Sequence, residues 1–251
     1  MRTTCVLLFC CALSGGCAPR NDSIISSNNS QSLDASAPEI HSDLSTNIVT
    51  KEGAMKEHQS GTWTPGLSDQ EKVTLFAIAR DTLDWCVNRK KEPFPIDAYT
   101  ITAKLKVDTA TFVTLKIKGQ LRGCIGSLAP EEPLYLSVHH NAINAALRDP
   151  RFRPVQPSEL SIIDIDVSIL SPIRPIPSIT DFKLGQQGII LQKGMQRAVF
   201  LPEVAIEQDW TRDETLSHLS RKAGLPADAW RKDTRFQVFE SVVLSIEKKK
   251  P

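Results

Sequence analysis

Cys124 has the setting that most invites chemistry. It stands in Leu121-Arg122-Gly123-Cys124-Ile125-Gly126, where Gly123 and Gly126 let the backbone bend sharply and bring its N–H groups close to a ligand. On an extended segment Arg122 and Cys124 share a face. A guanidinium beside a thiol favours the thiolate, which is the nucleophile, the redox-active form and the soft-metal ligand. The same pattern also reads as a small buried hydrophobe in a glycine-rich turn, because free cysteine is usually buried and inert. A disulfide between Cys86 and Cys124 is a third option for an exported chain, and it would remove the reactive thiol.

Two further clusters follow. His139 and His140 lie on a helical stretch, where neighbours point about 100° apart, so at most one faces a given site. His140 is the candidate base for a thiol–imidazole pair with Cys124; a plain surface position is the simpler explanation. Asn141 begins a segment that ends in Asp149-Pro150-Arg151-Phe152-Arg153-Pro154, a proline-stiffened loop whose arginines would clamp a carboxylate or phosphate. Equally, Asp149 would pair with Arg151 and tie the loop down. No HExxH, facial-triad or paired-cysteine spacing occurs, so neither metal nor cofactor is assigned.

The elements that must position these residues are readable from periodicity. Ser68-Asp69-Gln70-Glu71 is a capping box, and Val73, Phe76, Ile78, Leu83 and Val87 continue a helix to about Asn88. Thr111 to Lys118 alternates as a half-buried strand, Gly119 offers a turn, and Leu121 to Leu128 returns. Pro133 opens a second helix that Asp149-Pro150 stops. Ile163 to Ile169 alternates strictly, with its polar face assigned to solvent. Gly188–Gln192 and Arg197–Leu201 form a strand pair, a third helix spans 213–223 with Gly224 as its cap, and Arg235–Glu247 closes as one strand. Helices do not alternate regularly with strands, so the chain is assigned to the α+β class.

Composition bounds the function. Lys+Arg number 30 against 29 Asp+Glu, so no basic excess points to nucleic acid. The 41% hydrophobic content excludes a wholly disordered chain, and no run approaches the roughly 18 apolar residues of a membrane-spanning helix. Cys5 to Leu13 is apolar and is followed by Leu13-Ser14-Gly15-Gly16-Cys17, which resembles a bacterial lipoprotein cleavage box. Residues 1–16 are read as a signal peptide and Cys17 as the lipidated residue, which places the mature chain at the cell envelope on the periplasmic or extracytoplasmic side. Serine and asparagine dominate the stretch that follows, so 17–66 is read as a flexible tether and 67–248 as the folded domain.

Taken together, LRGCIGSL (121–128), NAINAALRDPRFRP (141–154), IDVSILSP (165–172), the stretch 188–202 with its FLP element, EQDW (207–210) and RKAGLPADAW (221–230) resemble the AMMECR domain family, whose prokaryotic members are called AmmeMemoRadiSam system protein A. The resemblance implies an α+β fold with a mixed, largely antiparallel sheet, packed helices, a smaller second lobe, and a groove into which LRGCIG projects. It marks Arg122, Gly123, Cys124 and Gly126 as the family signature, and Asn141, Asp149, Arg151 and Phe152 as a second patch. It also implies association with a MEMO-like protein and a radical SAM protein, without an established reaction. Relatives often carry a cysteine before the KAGL element where this chain has Ser220, which weakens any two-thiol mechanism. Two functions follow as expectations: a membrane-tethered binding or scaffold domain presenting the LRGCIG groove, or a thiol-dependent enzyme or redox component using Cys124 and Arg122.

Overall fold

The structure, a computed structural model, describes residues 53–248; the segment read as a signal peptide and Cys17, read as the lipidated residue, lie outside the described residues. Its strands form two antiparallel sheets. The larger places β1 (Gly53–Gln59), β9 (Ser241–Lys248), β4 (Ile163–Leu170), β2 (Thr111–Ile117) and β3 (Gln120–Gly126) side by side in that order. The smaller has the order β5 (Arg174–Ile176), β8 (Arg235–Phe239), β6 (Gly188–Lys193), β7 (Gln196–Phe200). The hairpin between β2 and β3 turns through Lys118 and Gly119, at φ 52° and 75°, the left-handed pair that matches strand twist.

Helix α1 (Asp69–Val87) starts where expected, with the Ser68 hydroxyl and the Glu71 carboxylate capping each other's backbone N–H. Helix α2 (Leu134–Leu147) packs against it, and both cover one face of the larger sheet. Short α3 (Pro202–Glu207) and α4 (Arg212–Lys222) belong to the smaller lobe, α4 starting from a second capping box of Thr211 and Glu214. β2 is the party wall between two cores. Val113 and Leu115 face Ile78, Val138 and Ala142 on one side, while Phe112 faces Ile189, Phe236 and Leu219 on the other. Each such buried side chain contributes about 1.5–3 kcal/mol relative to exposure.

The α+β assignment and the second lobe stand, and three local expectations are corrected. The segment 235–247 is two strands in different sheets, broken at Glu240, because the chain must leave one lobe for the other. The compositionally tether-like stretch contributes β1, whose residues from Gly53 to Gln59 pair along β9. The polar side of β4 does not meet open solvent: Ser168 is buried and Asp166 half-buried under the smaller lobe.

The chain passes between lobes twice, after β4 and after β8, and the crossings are bonded together. Ser171 N–H donates to the Glu240 carbonyl at 2.9 Å, and Glu240 N–H donates to Ser171 Oγ at 2.8 Å. The Glu240 carboxylate in turn accepts the N–H groups of Thr62 and Trp63, each at 2.6 Å.

Candidate binding cleft

The LRGCIG segment is β3, an edge strand, and a bulge decides what it can do. Leu115 pairs with Gly123 but Lys116 pairs with Leu121, leaving Arg122 as the extra residue. Alternation is therefore broken: Leu121 and Cys124 both pack toward the smaller lobe, and Arg122 turns to Glu159 in a two-pronged ion pair of 2.8 and 3.0 Å. The guanidinium expected beside the thiol is thus engaged by a carboxylate instead. Cys124 is fully buried among Phe112, Leu128 and their neighbours, with Thr114 Oγ1 donating to its Sγ at 3.2 Å. Cys86 is also a free thiol, held in the other core, so the proposed disulfide does not form. Burial pushes the Cys86 thiol up to about 11.

The glycines serve packing. A Cβ on Gly123 would sit 2.3 Å from the Ala145 carbonyl oxygen of α2, and one on Gly126 would sit 2.2 Å from the Thr111 carbonyl oxygen. Asp149 and Arg151 close the outer edge of β3. Cys124 N–H donates to Asp149 Oδ2 at 2.9 Å, and Arg151 Nη2 reaches the Cys124 carbonyl at 3.1 Å and Asp149 Oδ2 at 2.7 Å. Burial raises the Asp149 carboxyl, but hydrogen bonds from Arg151 and the Cys124 N–H outweigh it and leave it below the usual carboxylate range. Phe152 stays half-buried beneath the Arg151 guanidinium, 5.4 Å from its ring centre. Asn141 is buried and ties α2 to β2 through Thr111 Oγ1 at 3.0 Å. Ser220 is buried on α4, donating to the Leu216 carbonyl.

His140 is exposed and pairs with Glu132 at 2.6 Å, away from Cys124. His139 is half-buried instead, its Nδ1 2.7 Å from Thr82 Oγ1 and its ring stacked 4.6 Å from Phe94. Burial, reinforced by His140, pulls its pKa down to about 4. Among the described residues no group of three or more His, Cys, Asp and Glu is placed to hold a metal ion, and no helix is long and apolar enough to cross a membrane.

What the structure does open is a cleft of about 260 Å³ between the lobes, directly over the sealed cysteine. Thr114 and Lys116 of β2 with Asp166 and Ser168 of β4 make its floor, Leu121 one wall, and Glu203, Glu207 and Gln208 its roof. The ladder explains the floor: Thr114 opposes Asp166, so the polar positions of two alternating strands fall on one patch. Lys116 Nζ holds Asp166 Oδ2 at 2.9 Å. Burial lowers the Lys116 pKa, but Asp166 overrides this and leaves it above its ordinary value. Burial lifts the Glu203 carboxyl to about 7; its own backbone N–H and Lys116 oppose that, while Glu207 and Asp166 add to it. Ser168 is only 2% exposed, and its hydroxyl has no hydrogen-bond partner among the described residues; it opens on the cleft.

Leu121, Asp166, Ser168, Glu207 and Gln208 fall inside the family-like motifs, but the sequence singles out none of the cleft residues as a site residue. The polar positions of β2 and β4 were visible as alternation, but nothing local signals that the two strands adjoin or that α3 roofs them.

Comparison with known proteins adds the lineage. The AMMECR1 family profile matches residues 76–244. A Nanoarchaeum equitans protein is 36% identical over 179 residues, covering 68% of this chain and 98% of its own. A Methanopyrus kandleri protein is 40% identical over 191 residues, covering 72% and 91%. The crystal structure of an uncharacterised protein, PH0010, from Pyrococcus horikoshii superposes with a TM-score of 0.65 at 28% identity, covering 74% of this chain and 100% of that one.

Proposed function

The chain belongs to the AMMECR1 family, and on that premise we propose that it is a binding domain whose recognition site is the inter-lobe cleft above the LRGCIG strand. The observation that carries this is the contrast between a sealed Cys124 and an open, polar cleft on the other side of Thr114. Small ligands bind in concave sites with a few convergent polar groups, and this is such a place. The signature residues act as its foundation. Asp149 and Arg151 fasten β3, and Gly123 lets α2 press against it, so the wall that carries Leu121 is held in position. Full burial of Cys124, with Thr114 bonded to its Sγ, weighs against the thiol-enzyme alternative, which needs a substrate to reach the sulfur.

Attachment belongs to the same reading. The apolar run before Cys17 supports a lipid anchor with a tether ahead of the domain, and the family association supports MEMO-like and radical SAM proteins as partners. Mass spectrometry of the purified membrane-fraction protein tests the anchor: a diacylglyceryl-modified Cys17 at the mature N-terminus supports it, and an unprocessed Met1 terminus overturns it.

The cleft itself is tested by an NMR fragment screen on the folded domain. Fragments that shift the amides of Lys116, Asp166, Ser168 and Gln208 together support the reading. A screen whose binders all map elsewhere refutes it.

A further inference from the structure

Resting on that cleft reading, we infer that the cleft takes an organic cation, the amine or guanidinium end of a polar ligand, lodged between Glu203 and Glu207 of the roof and the Ser168 and Thr114 hydroxyls of the floor. The charge arrangement selects the sign. Four charged side chains face the space: Lys116 from β2, Asp166 from β4, and Glu203 and Glu207 from α3. Lys116 and Asp166 satisfy each other at 2.9 Å. Glu203 and Glu207 form no ion pair among the described residues, so the charge left over is negative. An anionic ligand would face two carboxylates with a lysine already engaged; a cation would meet the two carboxylates and two hydroxyl acceptors.

Ser168 is the independent pointer to a ligand. Its residue is 2% exposed, no protein group among the described residues bonds its hydroxyl, and the oxygen is reached only from the cleft it lines, Trp230 Nε1 being the one sealed and unpartnered side-chain polar atom among the described residues. The Ser168 hydroxyl faces the cleft, where an ammonium or guanidinium N–H would supply the missing bond. Organic cations fit better than a bare metal ion, since the cleft carboxylates do not converge as a metal site requires.

Binding is coupled to a proton. Glu203 is partly protonated near neutrality, and only its ionised form pairs with a cation. The apparent affinity therefore follows the ionised fraction and is about tenfold weaker at pH 6 than at pH 8. Lys116 stays charged across that range, its pKa being raised by Asp166.

The test is NMR titration of the folded domain with n-butylamine and agmatine as free cations, acetyl-Gly-Lys-Gly-amide as a peptide-borne cation, and butyrate and n-butanol as controls. Expected are shifts at Asp166, Ser168 and Gln208 for the cations, at least fivefold weaker binding in Glu207→Gln, and loss of the pH dependence in Glu203→Gln. Preference for the tripeptide would identify a lysine or arginine side chain of a partner as the occupant, and preference for the free amines a small molecule; either supports the cation. If butyrate or n-butanol occupies the cleft as well as the amines do, or the wild type is pH-independent, the cation assignment fails while the cleft reading survives. If no probe and no fragment registers there, both fail.

Discussion

Asp149 Oδ2 accepts the backbone N–H of Cys124 at 2.9 Å across 25 residues of sequence, which makes the loop after α2 a substitute for the missing neighbour of an edge strand. With Arg151 on the Cys124 carbonyl, both outward-facing backbone groups of that residue are satisfied by side chains.

Asp149→Ala is expected to destabilise the domain by about 3 kcal/mol in urea unfolding, because it leaves a buried N–H and the Arg151 guanidinium without their acceptor. The carboxyl is held below its ordinary 3.8, so its contribution is present above that pH and lost as pH falls through the lower folded value. A loss under about 1 kcal/mol would refute the clamp.

Cys124 is expected to resist iodoacetamide in the native protein at pH 8 and to label at the rate of global unfolding, followed by mass spectrometry of the peptide containing residue 124. Cys86 behaves alike, its thiol being raised to about 11 by burial. Labelling of Cys124 faster than unfolding would restore the thiol-enzyme reading.

Gly123→Ala is expected to cost about 2 kcal/mol or more, since the new methyl lands 2.3 Å from the Ala145 carbonyl oxygen and the neighbour is backbone. Gly119→Ala meets nothing within 4 Å and pays only for its left-handed φ of 75°, about 1 kcal/mol. Equal costs at the two positions would contradict the close approach of α2 to β3.

Stability is expected to fall as pH drops from 6.5 to about 4 through His139. Below pH 6.5 the unfolded chain takes up a proton there that the folded chain refuses until about pH 4, because burial and then His140 disfavour the charged ring. His139→Gln flattens this slope in chemical denaturation series; an unchanged slope would assign it elsewhere.

Local signals carried much of the fold. Ser68 and Glu71 announced α1, and the alternation from Ile163 to Ile169 announced β4, because capping and period are short-range physics. The break at Glu240 was hidden, since Phe239 and Val242 flank it with core residues and no glycine or proline marks the bend. The site was misread at Arg122 for a similar reason. Period-2 reasoning put its guanidinium beside the thiol, and one unpaired residue in the ladder swung it to Glu159. Lys116, Asp166 and Glu203 stand on three elements, so only tertiary structure brings them together.

The doubled seam at Ser171 and Glu240 has a consequence for thermodynamics. Two strand crossings laced to each other and to the Thr62–Trp63 strap oppose a swing of one lobe against the other, because such a swing would have to break these bonds. On the proposed cleft reading, little of a guest's interaction energy would then be diverted into closing the host around it.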